Sequence, residues 1–142
     1  MAVGSQLALQ LSAVLLVTLS SSVAAQPAAP SPQTATSAED RAAYDAAFQE
    51  SLGKPADPAT LVKLAAAAVT VGDLEGAISA LERLLLIDGD NPDVQLELGV
   101  LYFRLGSMEA ARSYLQVVRD SRRATAETKM RAVSFLREAR GP

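Results

Sequence analysis

The same residue types recur in this chain at a fixed interval of 34 positions. Seven pairs match over residues 58–125: Pro58/Pro92, Leu64/Leu98, Gly72/Gly106, Glu75/Glu109, Ala77/Ala111, Ser79/Ser113 and Leu81/Leu115. A period of this length is typical of arrays in which every unit is a pair of helices. Such units bury their apolar faces against their neighbours and present a continuous surface, which requires no catalytic group. The period therefore limits the chain to a small set of all-α architectures.

Two full repeats follow from this period, at residues 58–91 and 92–125. Each begins with a proline that directly follows an Asp or Asn. The acid or amide can cap the helix, and a proline at the first helical position loses no hydrogen bond. Gly72 and Gly106 lie midway, where a glycine with positive φ typically ends one helix before the next begins. We therefore expect a helix–turn–helix in each repeat.

Helices are also predicted on both sides of these repeats. Ser37 and Asp40 match the signal in which a serine hydroxyl and an acid three residues later cap a helix, which predicts a helix at 38–52. A second flanking helix is predicted at 126–139, because apolar residues recur there at spacings of three positions, as on one face of a helix. Its apolar stripe is Met130, Val133, Leu136 and Ala139. By the 34-residue step, the helix at 38–52 corresponds to the second half of an earlier repeat, and the helix at 126–139 corresponds to the first half of a third. We predict an all-α solenoid of about six helices over residues 38–140.

The beginning of the chain differs in kind from the rest, since no charged residue precedes Glu39. Leu7–Leu19 is mostly apolar and is followed by serines and by the small residues Val23–Ala25, which a signal peptidase reads. We predict a signal peptide at 1–25 and a disordered Pro/Ala/Ser-rich linker at 26–37. An uncleaved membrane anchor is the alternative, although the apolar run is shorter than the roughly 20 residues that span a bilayer.

The composition argues against several classes of function. Cysteine and histidine are both absent, so the usual ligands of zinc, copper and iron are missing, as is the commonest general base. The net charge is −3 with dispersed Lys and Arg, which does not suit nucleic acid. The acidic turn Asp88–Asn91 lacks the glycine and glutamate that a calcium loop needs at its sixth and twelfth positions. We expect no cofactor, no metal, no enzymatic activity and no nucleic-acid partner.

The order and spacing of several residues in the second repeat resemble the tetratricopeptide repeat family. These residues are Leu98, Gly99, Tyr102, Gly106, Ala111 and Leu115. The first repeat is a weaker copy, in which Ala68 takes the place of the tyrosine. The segment also resembles periplasmic tetratricopeptide domains of Gram-negative bacteria, some of which precede an outer-membrane β-barrel used in surface export. With the predicted signal peptide, this resemblance implies export across the inner membrane and a periplasmic location.

The resemblance also implies a binding groove along the first helices of the repeats. The residues expected to form it are Val62, Ala66, Val69, Leu96, Val100, Phe103 and Arg104. All but the arginine are apolar, and a contiguous apolar patch usually has a covering partner. Three coverings stay open at this point: a flanking helix of the same chain, an amphipathic helix or strand of another protein, or self-association.

These observations predict a non-catalytic protein–protein interaction module. Its partner would be a protein or a peptide, and its role that of a periplasmic scaffold or adaptor. The alternative is an accessory component of an outer-membrane export or assembly system in the cell envelope, which rests on the family resemblance alone.

Overall fold

A computed structural model of the protein describes residues 36–140. It contains six α-helices and, within those residues, no strand, which confirms the predicted all-α fold. The helices are α1 (Ala38–Gly53), α2 (Pro58–Val71), α3 (Leu74–Ile87), α4 (Pro92–Arg104), α5 (Met108–Asp120) and α6 (Ala126–Glu138). The predicted signal peptide and all but the last two residues of the predicted linker lie outside the described residues. None of the six described helices is both long and apolar enough to span a membrane.

The helices begin at the capping residues that the sequence predicts. The Ser37 hydroxyl accepts a hydrogen bond from the Asp40 amide, while the Asp40 carboxylate accepts one from the Ser37 amide. Before α2, the Thr60 amide donates to the Asp57 carboxylate at 2.8 Å. Before α4, the Val94 amide donates to the Asn91 side chain at 3.2 Å. Each cap satisfies backbone donors that the first helical turn leaves without a partner.

The two inter-helix turns are built alike. Gly72 has a φ of 81° and Gly106 a φ of 76°, and these are the only positive-φ glycines in the described chain. After Gly72, the Asp73 amide donates to the Ala68 carbonyl at 2.9 Å; after Gly106, the Ser107 amide donates to the Tyr102 carbonyl, also at 2.9 Å. This bond from beyond the glycine back to the helix is the Schellman arrangement. The 34-residue period is therefore reproduced in the hydrogen bonding.

The core consists of two apolar clusters that meet at α4. The first joins α1, α2, α3 and α4, and includes the fully buried Leu61 and Leu98. The second joins α4, α5 and α6 around Leu115. At each helix pair the small residue predicted at the close contact, Ala77 in α3 and Ala111 in α5, is fully buried. Small side chains there let the paired helices approach closely, as in dense helix packing.

The first helices of successive repeats are not evenly spaced. Cα atoms of α4 and α6 come within 8 Å of each other, whereas those of α2 and α4 do not. Helix α6 is held along α4 by three contacts between the two helices. These are the Arg131–Glu97 ion pair at 3.0 Å and the hydrogen bond that the Thr128 hydroxyl donates to the Asp93 carboxylate at 3.0 Å. The third is an edge-on contact of the Phe103 and Phe135 rings, whose centroids are 5.5 Å apart. Among the described helices, α4 and α6 are therefore in contact, whereas α2 and α4 are separated. We call this uneven arrangement the open array.

Tyr102 connects the two repeats. Its ring stacks on Tyr114 with centroids 5.7 Å apart, and its hydroxyl donates to the Glu82 carboxylate of α3 at 2.8 Å. This hydrogen bond, assisted by partial burial, raises the pKa of Tyr102 to about 12. The protonated phenol is needed as the donor, so ionisation would cost the bond.

Replacing either turn glycine by alanine should destabilise the protein by about 1–2 kcal/mol, because alanine is strained at positive φ. The loss should be similar for Gly72→Ala and Gly106→Ala, since the turns share their φ values and hydrogen bonds. Gly53→Ala is the control: this glycine ends α1 with nothing within 4 Å of an added Cβ. Denaturant unfolding measures all three. A loss at only one of the two turns would contradict the shared template.

The raised pKa of Tyr102 predicts a pH effect of definite sign. Below about pH 10 the phenol is protonated in both states, so its contribution to stability is fully present. Between about pH 10 and 12 it ionises in the unfolded chain first, so the contribution is lost as the pH rises. The stability difference between wild type and Tyr102→Phe should therefore shrink over that interval. In Glu82→Gln, spectroscopic titration of the phenol should show the pKa of Tyr102 closer to its ordinary value.

A candidate protein-binding groove

The α2 part of the predicted groove is open. Val62 is 52% exposed and Ala66 is exposed, while Val69 is half-buried against the first core cluster. The three residues share one face of α2 because they lie four and three positions apart. We call Val62, Ala66 and Val69 the α2 strip.

The structure corrects the placement of Leu96. This residue was expected on an open groove, yet it is only 1% exposed and packs with Leu115 and Val118 of α5 and with Ala132 and Leu136 of α6. The reason is tertiary: helix α6 lies along α4 and covers it. In the described structure, Leu96 belongs to the core.

The remaining α4 residues of the predicted groove are divided between core and surface. Val100 is half-buried against the second cluster, and Phe103 is half-buried with its ring edge-on to Phe135 of α6. Arg104 is exposed and forms no ion pair with the described residues. Of the three coverings that the sequence left open, a flanking helix accounts for the α4 part. It does not account for the α2 strip.

The electrostatics beside the α2 strip are balanced. Lys63 is the neighbouring cation, and its ammonium group lies 2.8 Å from the Glu50 carboxylate, which Lys54 also reaches at 3.2 Å. Hydrogen bonds from Lys63 and then Lys54 hold the pKa of Glu50 below its ordinary value. These groups are solvated, so each pair contributes little to stability. The strip is thus a neutral aliphatic surface beside a compensated charge cluster.

The side chains of the α2 strip are aliphatic, so this surface can bury apolar side chains of a partner but has no reactive group of its own. Among residues 36–140 no three Asp or Glu carboxylates come close enough together to hold a metal ion. Glu50, which pairs with Lys63 beside the strip, also forms an ion pair with Lys54. The arrangement suits recognition by contact.

The sequence did not indicate that part of the apolar stripe on α6 would be exposed to solvent. On α6 the predicted stripe is only half correct: Leu136 and Ala139 are buried, whereas Met130 is 67% exposed and Val133 39% exposed. A stripe at helical spacing indicates an apolar face, but it does not indicate how many neighbours cover that face.

Residues 68–130 match the family model of the tetratricopeptide repeat. The match runs from the end of α2 into α6 and includes both positive-φ glycines, the close contacts at Ala77 and Ala111, and Tyr102. This part of the chain therefore belongs to the tetratricopeptide repeat family, as the resemblance predicted. Tetratricopeptide repeats generally mediate protein–protein interaction. A search of curated proteins finds no match to the chain.

Substitutions by aspartate should separate the two halves of the predicted groove. Leu96→Asp would bury an unpaired carboxylate and should cost about 3 kcal/mol or more, because Leu96 lies in the core. Val62→Asp places the same group on an exposed face and should cost less than about 1 kcal/mol. Circular dichroism and denaturant unfolding measure both. Equal losses would mean that the α2 strip is packed.

Proposed function

We propose that this chain is a non-catalytic protein–protein interaction module, a periplasmic scaffold or adaptor that docks an apolar protein segment on the α2 strip. The observation that carries the proposal is the exposure of Val62 and Ala66 on α2, whose Cα atoms all lie more than 8 Å from those of α4. Leaving such side chains uncovered forgoes about 25 cal/mol for each Å² of apolar surface that a partner would bury.

The packing of α6 on α4 supports a particular occupant. Val62, Ala66 and Val69 stand one repeat before Leu96, Val100 and Phe103. Of the latter, Leu96 is buried in the cluster that α6 completes, Val100 is half-buried against that cluster, and Phe103 contacts Phe135 of α6. The same positions can therefore accept an amphipathic helix. We infer that the partner presents a helix with aliphatic and aromatic side chains on one face.

Charge refines this description of the partner. Glu97 of α4 pairs with Arg131 of the covering helix, and Lys63 stands at the position of Glu97 in the previous repeat. An acid on the partner helix would correspond to Arg131 and would meet Lys63. Its contribution to affinity would be small, because Lys63 is solvated and already paired with Glu50.

The periplasmic part of the proposal is supported by the signal-peptide pattern of residues 1–25 and by the resemblance to periplasmic domains. N-terminal sequencing of the mature protein tests it, and a mature chain that starts at Gln26 is expected. The second candidate, an accessory component of an outer-membrane export or assembly system, is supported by the resemblance alone. It predicts that the protein sediments with the outer membrane, whereas an adaptor that is not tethered there should remain in the osmotic-shock fluid.

Partner binding should be weakened by Val62→Asp and unchanged by Val117→Asp. The two valines are matched, at 52% and 50% exposed, but Val117 lies on α5, which contributes no residue to the predicted groove. Burying a valine is worth about 1.5–3 kcal/mol, so Val62→Asp should weaken partner capture by about tenfold to a hundredfold. The measurement is quantitative pull-down from envelope extracts, with circular dichroism to verify folding.

Two results would contradict the proposal. One is equal capture by wild type and Val62→Asp. The other is an equal loss with Val117→Asp, which would place the binding surface elsewhere or make the capture non-specific.

A further inference from the structure

Helix α6 exposes the face on which the corresponding helix α4 packs against α5. By the 34-residue step, α6 corresponds to α4, and Val133 stands at the position of Gly99. Gly99 is buried in close contact with α5, since a Cβ added to it would lie 2.7 Å from the Cγ of Leu115. Val133 is 39% exposed, and among the described helices α6 contacts only α4 and α5. In the described residues, no helix follows α6 in the way that α5 follows α4.

The charged residues around Val133 on α6 are all basic. At about 3.6 residues per turn, Lys129 and Arg137 lie about 40° to either side of Val133 around the helix. The acids of α6, Glu127 and Glu138, lie about 120° and 140° from Val133, so they belong to another side of the helix. The exposed face is therefore a basic surface with an apolar centre.

Two depressions make this surface concave. Val133 and Arg137 line both of them. Lys129 and Met130 also line the first, and Arg140 also lines the second. Met130 is 67% exposed, so it adds apolar surface beside Val133. We call the surface formed by these five residues the α6 face.

The cations of the α6 face are not compensated within the described chain. Lys129, Arg137 and Arg140 form no ion pair with any other described residue. The neighbouring acid Asp120 is paired with Arg119 instead, at 2.7 Å. The whole chain has a net charge of −3, so the sign of the α6 face is opposite to that of the protein. This local charge favours an acidic ligand.

The shape of the α6 face favours a helix over a membrane surface. A flat bilayer would leave the two depressions unfilled, whereas the side chains of a helix form ridges that fit into such grooves. The second repeat shows this kind of packing, because α5 covers the equivalent face of α4. Val133 is larger than Gly99, so the residue opposite it should be smaller than Leu115.

We propose that the α6 face binds an acidic amphipathic helix of a partner protein, in the way that α4 binds α5. This helix has a small residue opposite Val133 and an Asp or Glu one turn to either side, where the acids meet Lys129 and Arg137. Solvated ion pairs contribute little each, so burial of Val133 and Met130 supplies most of the affinity and the charges select the partner. The site does not use the α2 strip, so it is independent of the proposed function.

Two designed peptides test the proposal. Each is a labelled helical peptide of about 20 residues, long enough to be helical by itself, with alanine and leucine along one face. Glutamates flank that face in one peptide, and lysines replace every glutamate in the other. Fluorescence anisotropy with the full chain should show the glutamate peptide binding at least about tenfold more tightly than the lysine peptide.

Variants of the protein then locate the bound peptide. Arg137→Glu and Val133→Asp should each weaken binding of the glutamate peptide about tenfold. Arg41→Glu is the charge control, because Arg41 is exposed on α1 and also forms no ion pair with the described residues. Val62→Asp on the α2 strip is the apolar control, and both controls should bind like wild type. If Val133→Asp fails to fold by circular dichroism, Met130→Asp on the same face replaces it.

Three results would overturn the proposal. Equal binding of the two peptides would mean that the cations of the α6 face select nothing. A loss with Val62→Asp, and none with Val133→Asp, would place the peptide on the α2 strip. If neither peptide binds at millimolar concentration, the face does not accept a helix. In that case, sedimentation with phosphatidylglycerol vesicles that Arg137→Glu abolishes would assign the face to a membrane.

Discussion

The close contact between the two helices of each pair is the interaction on which the rest of the structure depends. In the second repeat, Leu115 packs directly against the backbone of Gly99, and the αL turn at Gly106 returns the chain at the angle that this contact needs. Because turn and contact recur at an interval of 34 residues, the two pairs have the same form and can stack. Tyr102 then ties the second pair to the first through Glu82.

Stacking leaves open surface because the spacing between first helices is uneven. Val62 and Leu96 are both aliphatic and occupy the same position in successive repeats, yet one is exposed and the other belongs to the core. The difference comes from α6, which lies against α4, whereas α2 contacts α1 and α3 but not α4. The same packing rule thus produces core in one repeat and a docking surface in the other.

The features that depend on local sequence were predictable. The caps at Asp57 and Asn91 and the turns at Gly72 and Gly106 were predicted at the residues where they occur, because each is determined by a few neighbours. Coverage of a helix face was not predictable, because it depends on the distance to another helix. Leu96 was therefore placed on a groove although it is buried. Met130 was assigned to the same stripe as Leu136, although only Leu136 is buried. An apolar residue looks the same in a sequence whether a neighbour covers it or not.

The uneven helix spacing is tested most directly by distances between spin labels. Lys63, Glu97 and Arg131 are exposed, lie one repeat apart in succession, and can be changed to cysteine in a chain that has none. Pulsed electron spin resonance on the pairs 63/97 and 97/131 gives the two spacings. The open array predicts a longer distance for 63/97, since Glu97 pairs with Arg131 whereas Lys63 pairs with Glu50. Equal distances would show an evenly closed array and would remove the basis for a docking surface on α2.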